Sequence, residues 1–137
     1  GMLASWVIGR SRSFAAAAIR CPGNDWLATS PGPFGLEEAP FFSRPWRQDR
    51  LAWGERSPLQ VVGDVRAPAL IIAGDCRRAA PHDEGAAWFA ALQLRGVPSA
   101  LVRLQDECGA ATRHPSNWMR TRQLILDWYR TAPRRTP

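Results

Sequence analysis

The sequence predicts an α/β fold with about three parallel strands and helices on both faces of the sheet, and three observations carry that reading. Pro68-Ala69-Leu70-Ile71-Ile72-Ala73-Gly74 is an unbroken apolar run bounded by Pro and Gly. A run without alternation marks a strand buried on both faces of a parallel sheet. After a polar stretch, Ala86, Trp88, Phe89, Leu92 and Leu94 fall at helical spacing until Gly96-Val97-Pro98 stops the pattern. Ala100-Leu101-Val102-Arg103-Leu104 is then a second short apolar run. A parallel strand–helix–strand crossover is right-handed almost without exception. In such sheets the chemistry lies just past the carboxyl ends of the strands. Residues 75–81 and 105–115 are therefore the loops to search.

The other elements follow in order. Met2, Leu3, Trp6, Val7 and Ile8 are spaced for a short buried helix, and residues 10–13 make a polar turn. Residues 14–19 allow a helix on Ala propensity and a buried strand by position, between a helix and Cys21-Pro22-Gly23. Residues 24–56 are rich in Pro, Gly and aromatics, with short helical turns expected near Glu37-Glu38 and over 48–53. A segment of that length usually covers something. Ser57-Pro58 opens a turn whose apolar face is Leu59, Val61 and Val62. Ser116 is expected to cap a last helix carrying Trp118, Met119, Leu124, Ile125, Trp128 and Tyr129, ahead of a frayed tail over 132–137.

At 137 residues the chain has room for one domain. All 18 basic residues are Arg against 12 acidic ones, a net charge of +6. That balance raises an Arg-rich nucleic-acid or acidic-partner binding module as one function class. No run of Arg exceeds two, so the scatter favours a compositional bias, and no nucleic-acid partner is expected. Cys21, Cys76 and Cys108 have no CxxC spacing and read as reduced thiols of a cytoplasmic protein. With only His82 and His114 beside them, neither a metal site nor a cofactor is expected. No stretch reaches membrane-spanning length.

The motifs also resemble a known family in combination. Met2-Leu3-Ala4-Ser5-Trp6-Val7-Ile8-Gly9, Phe14-Ala15-Ala16-Ala17 and Trp53-Gly54-Glu55-Arg56-Ser57-Pro58-Leu59 are similar to segments of the catalytic domain of prolyl-oligopeptidase-type serine peptidases. So are Val65-Arg66-Ala67-Pro68, Phe89-Ala90-Ala91-Leu92, Arg95-Gly96-Val97-Pro98 and Ile125-Leu126-Asp127-Trp128-Tyr129. The subgroup resembled is that of the acylaminoacyl and dipeptidyl peptidases. The resemblance implies that residues 1–131 form the C-terminal half of an α/β-hydrolase domain with strands near 14–19, 69–73 and 100–104. It makes Gly1 the last glycine of a nucleophile elbow. It further implies a peptide-like substrate, a pocket lined by Trp26, Phe41, Phe42 and Trp46, and association with a second copy or with an upstream half.

The departures from the family pattern decide the expected activity. Such an enzyme needs a Ser on a sharp strand-to-helix turn, an acid after the second-last strand and a His after the last. No Gly-x-Ser-x-Gly occurs in these residues. The resemblance puts the acid position at Arg77 and the His position at Gly109, in a last loop shorter than the family's. Asp75 and His114 are the only substitutes nearby, and Cys108 lacks a neighbouring base. The expectation is an inactive remnant or pseudoenzyme. The alternative is part of an active serine hydrolase whose nucleophile lies upstream or on another chain.

Overall fold

A computed structural model describes residues 1–30, 41–75, 83–105, 107 and 114–133, with Asp75 described by its backbone alone. The elements are α1 (Met2–Arg10), β1 (Ala17–Arg20), α2 (Trp26–Thr29), α3 (Arg50–Glu55), a 3-10 helix (Pro58–Asp64), β2 (Ala69–Asp75), α4 (Glu84–Leu94), β3 (Ser99–Gln105) and α5 (Pro115–Thr131). The three strands form a parallel sheet in the order β1-β2-β3. Ile71 of β2 sits opposite Ile19 on one side and Leu101 on the other.

Alternate residues of the central strand feed two separate cores, as side chains of a strand must. Ala69 and Ile71 join Ile8, Ile19, Val65, Trp88 and Leu92 on the face covered by α1, α4 and the 3-10 helix. Leu70 and Ile72 join Leu104 on the other face, against Leu124, Ile125 and Trp128 of α5. Ile71 and Ile72 are both buried, which explains why the run shows no polar alternation.

Several expected boundaries shift for physical reasons. Pairing of β1 begins at Ala17, whose N–H donates to the Pro68 carbonyl at 2.8 Å. Phe14 stays outside the ladder and exposed. The first helix is less buried than its apolar composition suggested: Ser5, Ile8 and Gly9 are covered, while Leu3 is 69% exposed. The last helix is capped by His114 rather than Ser116, with Pro115 in its first turn, where a missing N–H costs nothing. Gly96 ends α4 at φ +67°, a conformation that a side chain at Cβ would strain. The expected turn near Glu37-Glu38 lies outside the described residues. Among the described residues no helix is long and apolar enough to cross a membrane.

Candidate functional site

The candidate site is the carboxyl edge of the sheet, where β1, β2 and β3 release their chains in one direction. β1 is extended by one more bond, from the Cys21 N–H to the Ile72 carbonyl at 2.8 Å, before Cys21 turns to φ +46°. Gly1, at the head of α1, presses against this turn. A Cβ built on Gly1 would lie 2.1 Å from the Arg20 carbonyl oxygen and 2.7 Å from that of Cys21. Only a residue without a side chain fits that approach.

Burial pushes the pKa of the Cys21 thiol up, against the pull of Arg20 and a Gly74 backbone hydrogen bond. A raised thiol pKa leaves little thiolate at neutral pH. Peptide mapping after iodoacetamide treatment at pH 7 should therefore find Cys21 labelled far more slowly than in the unfolded chain. Faster labelling than in urea would contradict the assignment. The sign for stability follows: the protonated thiol is favoured by folding, so its contribution is present below the unfolded thiol pKa. It is lost as pH rises through the higher folded value.

The segment after the turn is tied down by side chains from distant elements. The Glu84 carboxylate, in the first turn of α4, accepts from the backbone N–H groups of Asn24 and Asp25, the latter at 3.1 Å. Asp25 caps α2 by accepting from Leu27 N at 3.0 Å and Ala28 N at 3.2 Å. The Ser57 hydroxyl accepts from Trp26 N and donates to the Trp53 carbonyl, both at 3.0 Å. The 3-10 helix is joined to the same segment by a 2.9 Å bond from Leu59 N to the Asn24 carbonyl. Asn24 itself is buried, and among the described residues neither atom of its carboxamide has a hydrogen-bond partner. A cavity of about 250 Å³ lies beside it, lined by Asn24, Asp25, Ala28, Leu59, Glu84 and Ala87.

Of the expected pocket aromatics, the structure brings two together. Trp26 and Phe42 meet edge-on at 5.4 Å, and both pack on Trp53, which stacks on Phe42 at 3.9 Å. The Trp53 indole N–H donates to the Arg44 carbonyl at 3.0 Å. Phe41 points away and is 71% exposed, although its carbonyl accepts from Arg56. Trp46 sits apart under the guanidinium groups of Arg47 and Arg50, at 5.2 and 5.6 Å from its ring centre.

At the end of β3, Glu107 is buried and accepts from His114 N at 3.1 Å and from the Asn117 side chain at 2.9 Å. Its carboxylate thus serves the start of α5, which has no side-chain cap of its own. His114 is exposed at that helix start. The Asp75 side chain, Cys76, Arg77, His82, Cys108 and Gly109 lie outside the described residues. Glu84, Asn24 and Glu107 were not singled out from sequence, because their bonding partners lie on other elements or across a loop.

Comparison with known proteins agrees with this geometry. The chain is similar to an uncharacterized peptidase, YuxL, of Bacillus subtilis, at 24% identity over 94% of this chain and 20% of that protein. It is also similar to dipeptidyl-peptidase 5 of Schizosaccharomyces pombe, at 26% over 93% and 19% respectively. The chain therefore spans about a fifth of the length of these curated relatives. Among solved structures, the Pyrococcus horikoshii acylaminoacyl peptidase superposes with a TM-score of 0.80 at 17% identity, covering 99% of this chain and 23% of that one. A puromycin-hydrolyzing peptidase of Mycobacterium tuberculosis gives 0.80 at 22%, covering 91% and 20%. The sequence profile described as the prolyl oligopeptidase family matches residues 1–134. With the fold and nearly the whole sequence in agreement, the chain belongs to the prolyl oligopeptidase family of serine peptidases.

Proposed function

We propose that this chain supplies the C-terminal scaffold of a prolyl-oligopeptidase-type catalytic domain and does not itself support peptide hydrolysis. The observation that carries this reading is that Arg77 and Gly109 stand where the family resemblance puts the acid and the base. A catalytic His needs a carboxylate to hold its tautomer and stabilise its cation. A guanidinium would disfavour that cation, and Gly109 offers no base to activate a hydroxyl. The scaffold itself is retained. The close approach of Gly1 to the Arg20 carbonyl suits the last glycine of a nucleophile elbow, which would be supplied upstream of α1. In that arrangement the outer edge of β1 pairs with a strand of the upstream half, and the Trp26–Phe42–Trp53 cluster borders the substrate.

A second reading is favoured by Glu107, which holds the backbone of His114 at the same sheet edge. There His114 and Asp75 serve as relocated base and acid, and an upstream nucleophile makes the domain an active peptidase.

The two readings separate by repair. The chain would be joined to an upstream half with an intact elbow, such as that of the P. horikoshii acylaminoacyl peptidase, and assayed on aminoacyl p-nitroanilides. Background hydrolysis is expected until Arg77→Asp and Gly109→His are both introduced. A positioned general base contributes about 100- to 10,000-fold, so a successful repair should be plain in the assay. Equal turnover with and without the two substitutions would favour the second reading.

A further inference from the structure

We propose that the cavity between α2, the 3-10 helix and α4 binds a small neutral ligand carrying a carboxamide or peptide amide on a short aliphatic group. This site stands apart from the peptidase reading, since no triad position takes part in it. The first observation is Asn24. It is 1% exposed, yet among the described residues both its Nδ2 and Oδ1 lack a hydrogen-bond partner. A buried polar group without a partner is costly, and native folds rarely keep one without a reason. The backbone of the same residue is fully engaged: its N–H goes to Glu84 and its carbonyl receives Leu59 N. The side chain has thus been carried into the interior by a well-anchored backbone.

The second observation is the adjoining cavity of about 250 Å³, which Asn24 lines. That is just below the usual range for ligand sites, about 300 to 1,000 Å³, and sets a small ligand. Three of its lining residues, Ala28, Leu59 and Ala87, are aliphatic. Both carboxylates on its wall already accept from backbone donors, Asp25 through Oδ1 at the start of α2 and Glu84 through Oε2 from residues 24 and 25. The buried group left without a partner among the described residues is the Asn24 carboxamide, with one acceptor and one donor group. Another amide is the group that satisfies both at once. Because the Asn24 carboxamide is itself out of reach of solvent, binding includes its rotation toward the cavity it lines.

The experiment is a protein-observed NMR titration of the full chain with isovaleramide, and with methyl isovalerate as the matched ester that lacks N–H donors. Saturable shifts at residues lining the cavity are expected with the amide, and binding of the ester should be weaker by about tenfold, the scale of one or two neutral hydrogen bonds. Asn24→Leu should lose amide binding by a similar factor while keeping or raising the thermal midpoint, because it replaces an unpaired polar group by an apolar one. Ala87→Leu narrows the cavity with Asn24 intact and should also weaken the amide; it decides alone if Asn24→Leu does not fold. Absence of saturable binding to the unsubstituted chain, equal binding of amide and ester, or undiminished binding in Ala87→Leu would each overturn the proposal.

Discussion

Ile71→Asp should abolish folding. Ile71 is completely buried at the centre of β2, paired with Ile19 and Leu101 and enclosed by Trp88 and Leu92. A carboxylate there would have neither water nor a counter-charge, a cost of several kcal/mol that is a large part of a small domain's stability. Circular dichroism should find no cooperative thermal transition in the variant. A near-normal transition would show that the central strand does not lie between two packed layers. Ile71→Val, which removes one methylene, should cost about 1 kcal/mol and leave the transition cooperative.

Trp53→Ala is the second large effect, and it bears on the segment over the site. Trp53 is fully buried, stacks on Phe42, meets Trp26 edge-on and donates its indole N–H to the Arg44 carbonyl. Removing it leaves a cavity where three rings had met, at a cost of about 3–5 kcal/mol. Residues 41–56 should then gain hydrogen exchange and protease sensitivity before the sheet does. Phe41→Ala is the matched control. Its ring is exposed, so its effect on the thermal transition should stay within about 0.5 kcal/mol. Comparable losses from Trp53→Ala and Phe41→Ala would contradict the packing described.

The sheet was legible because burial on both faces writes itself into consecutive residues. Leu70, Ile71 and Ile72 are apolar for two different reasons, one core above and another below, and no alternation survives. The last helix was harder. Trp118, Met119, Leu124, Ile125, Trp128 and Tyr129 look like one apolar face, but a single helix touches the sheet along a narrow stripe. Leu124, Ile125 and Trp128 occupy that stripe, and the other three remain well exposed. Its cap was misplaced because Ser116 offers a hydroxyl, whereas the fold starts the helix at Pro115 and uses Glu107 from outside it.

At Arg77 and Gly109 the site reading rests on the family pattern alone, since both lie outside the described residues. Glu84 reads locally as an acid suited to the positive end of α4, a common placement. Its bonds to the backbone of Asn24 and Asp25, about 60 residues earlier, exist only once β1 and β2 are paired. The four aromatics grouped by the family resemblance separate for a similar reason. Trp26 and Phe42 are drawn to Trp53, which was read as part of a helical turn, while Trp46 is held by neighbouring Arg side chains.

The central proposal is a chain that keeps the family's scaffold without its chemistry, and the most direct measurement is fluorophosphonate labelling. The chain would be joined to an upstream half bearing an intact nucleophile elbow, with Arg77 and Gly109 left in place. The probe reports an activated serine hydroxyl, which requires a base at hydrogen-bonding distance. No labelling above that of a denatured control is expected, in a protein that melts cooperatively. Rapid, stoichiometric labelling of the elbow Ser in that same protein would contradict the account and assign the base to His114.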